Sequence, residues 1–218
     1  MNHPTQGNNV FSFLAKLFKP TTPEPIIIVS GLPRSGTSMM MKMLEAADLT
    51  IMTDAIRTPD EDNPKGYYEF ERVKELEKES DKSWVREGRG KVLKVISFLL
   101  KDLPAENTYQ VIFLHRDLDE VLASQAKMHT RRGEENPVDD DVMRGIYEKH
   151  VANVLLLMKV KKNIRFVEVS HAATIADPSA TAATVSSFLG GELDVAAMAA
   201  VVDKGLHRNR KENLSPSA

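Results

Sequence analysis

The chain has 218 residues, 42% hydrophobic and 28% charged, with a formal net charge of −2, which suits one ordinary-sized domain with a proper core and a soluble surface. That charge balance excludes a general nucleic-acid binder, which carries a broad basic excess, so any anion site must be a local concentration of positive groups. The sequence has no cysteine and no apolar run of about 18 residues, so disulfides, thiolate nucleophiles, cysteine-ligated metals and a membrane-spanning helix are all excluded.

Residues 1–19 hold a short amphipathic patch at 10–18, with lysines at 16 and 19, and lack the basic start and long apolar stretch of a secretory signal. They read as an arm that docks on the body or on a partner. The following P-T-T-P-E-P is a stiff linker. The expected organisation is an arm and linker over 1–25 and an α/β domain over 26–218, in a soluble cytoplasmic protein.

Residues 26–30 (I-I-I-V-S) form a short β-branched run, the pattern of a central parallel strand buried on both faces. Residues 31–36 form a turn, and from Thr37 the spacing of Met39, Met40, Met43, Leu44 and Ala47 is helical. Residues 54–66 are a polar loop, and 68–80 read as a charged helix. A second strand is expected over 92–96, followed by a short helix ending at Leu103-Pro104. A buried strand at 110–115 leads to a helix over 118–128, a charged loop over 130–141 and a long helix to about Lys161. A strand at 164–169 and helices at 180–188 and 195–202 close the chain. Strands alternating with helices predict a mostly parallel sheet with helices on both faces. In such sheets ligands sit beyond the carboxyl ends of the strands, where the loops after Ser30, Ile96, His115 and Val169 converge.

The loop after the first strand reads G-L-P-R-S-G-T-S, Gly31 to Ser38. Helix-start N–H groups and the helix dipole make such a turn an anion cradle. Gly36 admits close backbone approach, and Ser35, Thr37 and Ser38 add hydroxyl donors. The glycines have the separation of a Walker loop, but Thr37 stands where its lysine would be. The cation is inside the loop as Arg34, whose fork holds a tetrahedral anion with two hydrogen bonds.

G-x-P-R-S-G-T-S after a buried strand resembles the 5′-phosphosulfate loop of sulfotransferases that use PAPS (3′-phosphoadenosine 5′-phosphosulfate), particularly the arginine-bearing loop of the tyrosylprotein sulfotransferases. The resemblance extends to Arg116 at the end of a later strand with Ser124 eight residues on, the family's grip on the donor 3′-phosphate. It also extends to a closing segment in which a strand leads through D-P into a helix ending F-L-G190. A P-loop-type α/β fold is implied, with PAPS as donor, no metal, and an acceptor hydroxyl or amine on a small molecule or polymer. Pro33, Arg34, Ser35, Gly36, Thr37, Ser38, Arg116 and Ser124 would bind the donor, and Arg34 would stabilise charge on the moving group.

The resemblance points to Asp54 as the base that accepts the acceptor's proton. Glu69, flanked by aromatics in N-P-K-G-Y-Y-E, is the rival. His115 reads instead as a strand-end histidine hydrogen-bonded locally. Tyr67, Tyr68 and Trp84 line an acceptor pocket or pack in the core. Lys94, inside an apolar strand, either reaches the donor over the sheet edge or snorkels to solvent. The basic cluster 207–211 folds over the donor phosphates or is merely solvated. Two other functions fit the loop: a P-loop nucleotide kinase or NTPase, for which the lysine is missing, and a non-catalytic nucleotide-binding module that lost its base.

Overall fold

The computed structural model describes residues 23–54, 68–133, 138–203 and 205. The arm, the basic cluster, Tyr67 and most of the 54–66 loop lie outside the described residues. The four described strands are β1 (Ile26–Gly31), β2 (Val92–Lys94), β3 (Tyr109–His115) and β4 (Ile164–Ser170), and they form one sheet in the order β2-β1-β3-β4. Every pairing is parallel. The helices are α1 (Thr37–Ala46), α2 (Leu118–Arg132), α3 (Asp140–Val160), α4 (His171–Ala176), α5 (Pro178–Leu189) and α6 (Val195–Ala200).

Side chains alternate across a strand, and here both faces of that alternation are apolar. Ile26, Ile28, Val111 and Phe113 face one core, shared with Val154 and Met158 of α3. Ile27, Val29, Ile112 and Leu114 face the other, shared with Met40 and Met43 of α1, Val185 of α5 and Met198 of α6. All six residues of β1 are buried, and a fully buried side chain of this kind contributes about 1.5–3 kcal/mol relative to exposure. Tyr109 ends in the first core and donates its hydroxyl to the Pro104 carbonyl at 2.8 Å. Burial pushes its phenol up to about 12, so it remains a neutral donor.

The chain runs outward from β1 to β2, then returns past β1 to β3 and β4. The loops after β1 and β3 therefore leave neighbouring strands toward opposite faces of the sheet, which opens a crevice at their carboxyl ends. Local signals set the helix ends. Asp117 caps α2 by accepting from the Asp119 N–H, Asp139 caps α3, and Asp177 caps α5 with Pro178 at its first position. Ser170 caps α4, a short helix the sequence pattern does not announce.

One expected element is different. In place of a charged helix over 68–80 there is a 3₁₀ turn, Glu71–Glu75, entered through Tyr68 at φ 52 and an extended Phe70. Tethers to the segment beside β2 prevent a regular helix: the Glu71 N–H donates to Asp54 Oδ2 at 2.6 Å and Thr53 Oγ1 to the Glu69 carbonyl at 2.9 Å. Phe70 packs on Trp84, whose Nε1 donates to Glu79, so Trp84 belongs to the core.

Behind β2, His150 of α3 shares a 2.9 Å hydrogen bond with Ser97 and stacks on Phe98. Partial burial holds this imidazole below its ordinary 6.5. The folded state thus favours neutral His150, and the unfolded chain binds the proton first as pH falls. Its contribution is complete above about pH 6.5 and is lost as the pH falls from there toward the folded value. Urea titrations from pH 7.5 to 5 should therefore show a smaller stability loss for His150→Gln than for the parent chain; identical slopes would remove His150 from the acid response.

Candidate functional site

Gly31 ends β1 at φ 153, and a Cβ there would lie 2.7 Å from the Leu114 carbonyl oxygen, so only glycine lets the loop leave beside β3. Arg34 itself is left-handed at φ 69. Gly36, at φ 98, is the N-cap of α1 and offers no capping side chain, and the first turn has no acidic residue. The helix therefore presents its opening N–H groups and partial positive charge to the loop interior, the arrangement an anion occupies. The His171 ring closes the other side of Gly36: a Cβ there would fall 2.6 Å from its Cδ2.

Two residues from the β3 side tie the loop down. Arg34 Nε donates to Ser124 Oγ at 2.9 Å, a contact across 90 residues of sequence. Arg116 Nη1 donates to the Arg34 carbonyl at 3.0 Å, and its Nε pairs with Glu120 at 2.9 Å. The last is an i,i+4-spaced pair in which both side chains are under a tenth exposed, so Glu120 fixes the guanidinium's direction. Arg34, Arg116 and Ser124 thus form one group although they come from three parts of the chain. The resemblance implies that Arg34 grips the donor and stabilises charge on the moving group; in this structure its Nε is directed to Ser124.

The cation next to Ser38 is Lys94. It leaves the end of β2 with its side chain 9% exposed, and its Nζ lies 3.4 Å from Ser38 Oγ and 3.6 Å from Glu69 Oε1. Lys94 therefore reaches inward rather than snorkelling to solvent. Glu69 also pairs with Lys74 at 3.5 Å. Asp54 is directed to the Glu71 N–H instead. Its local role is to hold the start of the 3₁₀ turn, and with it Glu69. The sequence singles out Lys94, a lysine in an otherwise apolar strand, and leaves open whether it reaches the donor or solvent. The Tyr68 hydroxyl donates to Glu45, and burial, with Glu45 beside it, raises its phenol pKa. His115 bonds Glu168 at 2.7 Å across the β3–β4 pair, a local strand-end contact.

Between the loop and α3 lies a cleft of about 340 Å³, walled by Leu32, Ser35, Leu114, Arg116, Leu118, Val151 and Leu155 among others. It is mostly apolar and opens beside the Arg116 group.

A model of the sulfotransferase domain family matches residues 24–216. The chain belongs to the sulfotransferase family. Among solved structures it is similar to the sulfotransferase domain from the curacin biosynthetic pathway, with 14% identity over 89% of this chain and 93% of that chain and a TM-score of 0.53. That likeness shows the fold. No curated protein matches the sequence. Sulfuryl transfer is therefore the function of the domain, in place of the kinase, NTPase and non-catalytic alternatives. No described helix is long and apolar enough to cross a membrane.

For this sulfotransferase loop, Gly36→Ala should lower stability by about 1–3 kcal/mol, combining left-handed strain with displacement of the His171 ring. Adding His171→Ala should restore only the steric part, as read by denaturant midpoints. Full recovery would mean that the backbone conformation costs nothing.

Proposed function

We propose that the domain transfers a sulfuryl group from PAPS to a hydroxyl or amine, with the donor lying across the carboxyl ends of β1 and β3. The observation that carries this reading is the pair of separate basic groups on either side of one loop: Arg34, Arg116 and Ser124 on one side, Lys94 and Ser38 on the other. A donor with a 3′-phosphate and a 5′-phosphosulfate needs two such groups, whereas a single triphosphate tail needs one continuous cradle. In this reading Pro33, Ser35, Gly36 and Thr37 shape and line the phosphosulfate cradle, and Arg116 with Ser124 takes the 3′-phosphate. Arg34 spans the two, its backbone in the cradle and its guanidinium on Ser124. The apolar cleft beside Arg116 suits the purine.

Glu69 is the proposed base. It is the carboxylate that pairs with Lys94, while Asp54 positions the backbone that carries it. The acceptor oxygen or nitrogen forms its bond to sulfur as the bond from sulfur to the bridging phosphate oxygen breaks. That oxygen leaves with the bonding pair on 3′,5′-phosphoadenosine, and the acceptor proton passes to Glu69. Lys94 offsets the charge that develops on the sulfuryl and bridging oxygens. The acceptor is a small molecule or polymer presenting that hydroxyl or amine.

Titration calorimetry should show 3′,5′-phosphoadenosine binding without magnesium and magnesium-ATP binding poorly; the opposite order overturns the PAPS assignment. Arg116→Ala and Ser124→Ala should weaken that binding. With radiolabelled PAPS and an acceptor panel, Glu69→Gln should lower turnover by about 10²–10⁴-fold with donor binding preserved. If Asp54→Asn produced that pattern and Glu69→Gln did not, the base would be Asp54.

A further inference from the structure

Among the described residues five large apolar side chains are exposed, and four lie on α3: Val142 at 56%, Ile146 at 46%, Leu156 at 60% and Val160 at 65%. Together with the exposed Lys149 and Asn153, they succeed one another at steps of four, three, four, three and four residues. That rhythm draws one stripe along the helix, the a/d seam of a coiled coil. Tyr147, Val154 and Met158 already carry another side of α3 into the body of the domain. The stripe is thus a second seam along a 21-residue helix, apolar at both ends and polar at Lys149 and Asn153 in the middle, and exposed apolar clusters of this kind mark an interaction surface.

We propose that α3 is the interface of a homodimer, in which two copies of the helix pair antiparallel about a two-fold axis at the level of residue 151, passing between Lys149 and Asn153 of the stripe. The occupant is a second copy because the helix is complementary to itself read backwards. Its beginning carries Asp139, Asp140 and Asp141, and its end carries Lys159, Lys161 and Lys162. Antiparallel pairing sets the acidic end of each copy against the basic end of the other and opposes the helix dipoles, whereas parallel pairing stacks like charges. The same register sets Val142 against Val160 of the second copy, Ile146 against Leu156, and Lys149 against Asn153, each pair occurring twice about the axis. The Lys149 ammonium donates to the Asn153 side-chain carbonyl in the two central layers, a polar contact that fixes register at some cost in affinity. None of the six seam residues lines the cleft, so this inference does not rest on the proposed donor site.

Sedimentation equilibrium of the full chain tests it. The parent chain should be a dimer at micromolar concentration, and Leu156→Glu, an exposed change that leaves the fold intact by circular dichroism, should raise the dimer Kd by roughly 30-fold or more. Reversing the acidic end (Asp140→Lys with Asp141→Lys) should have a similar effect, and reversing Lys159 and Lys162 to Glu in the same chain should restore the dimer. The absence of native cysteine allows a second readout. Ile146→Cys with Leu156→Cys should oxidise to a disulfide-linked dimer, and Ile146→Cys alone should not, because the two copies of residue 146 lie about 15 Å apart along the helix axis. A monomeric parent chain overturns the proposal, including one whose seam is covered by its own residues 1–22. So does a dimer indifferent to Leu156→Glu, and so does a single-cysteine variant that links as readily as the double.

Discussion

Parallel pairing of β1 with β3 brings Gly31 beside Leu114, and the rest of the site follows from that register. With the two strand ends level, the chain leaving β1 has to turn within the width of one strand. A side chain at Gly31 would meet the Leu114 carbonyl, so the turn is made of glycine and left-handed backbone. The same level ends let Arg116, one residue past β3, reach the Arg34 carbonyl, and let Arg34 reach Ser124 on the next helix. A slip of one residue would swap the side chains of β1 between the two cores and pull these groups apart together. Fold stability and the geometry of the loop therefore share one constraint.

Charge at the site is organised by burial rather than by excess. The whole chain is nearly neutral, yet Lys94 and Arg116 each have side chains only 9% exposed and each faces a carboxylate, Glu69 and Glu120 respectively. Burying a cation without a partner is costly, so the carboxylates stabilise the two cations and also aim them. Paired in this way, the cations are oriented before any anion arrives. For Lys94 and Glu69 the pairing sets a carboxylate next to a buried cation, and the roles proposed for both rest on that contact.

Much of this was legible in the sequence. The link from the loop to Arg116 and Ser124 came from the family resemblance, whereas the four strands, the turn at Gly31 and the helix from Thr37 follow from buried β-branched runs and helical spacing. These are local signals, and local backbone preferences reinforce them. The helix expected over 68–80 failed for the opposite reason. Its composition is helical, but Thr53 and Asp54, distant in sequence, hold its first residues in another conformation, and a tether of that kind leaves no periodic trace.

The sequence by itself determined the fold class and the strand–turn–helix course of the loop, because strand burial and glycine geometry are written in neighbouring residues. The family resemblance, rather than any local signal, pointed from the loop to Arg116 and Ser124. Only the tertiary structure decided which way the side chains turn: Arg34 toward Ser124, Lys94 toward Ser38 and Glu69, Asp54 toward a backbone N–H. Such choices depend on what lies across the crevice from each residue, and that is set by strands and loops far apart in the chain.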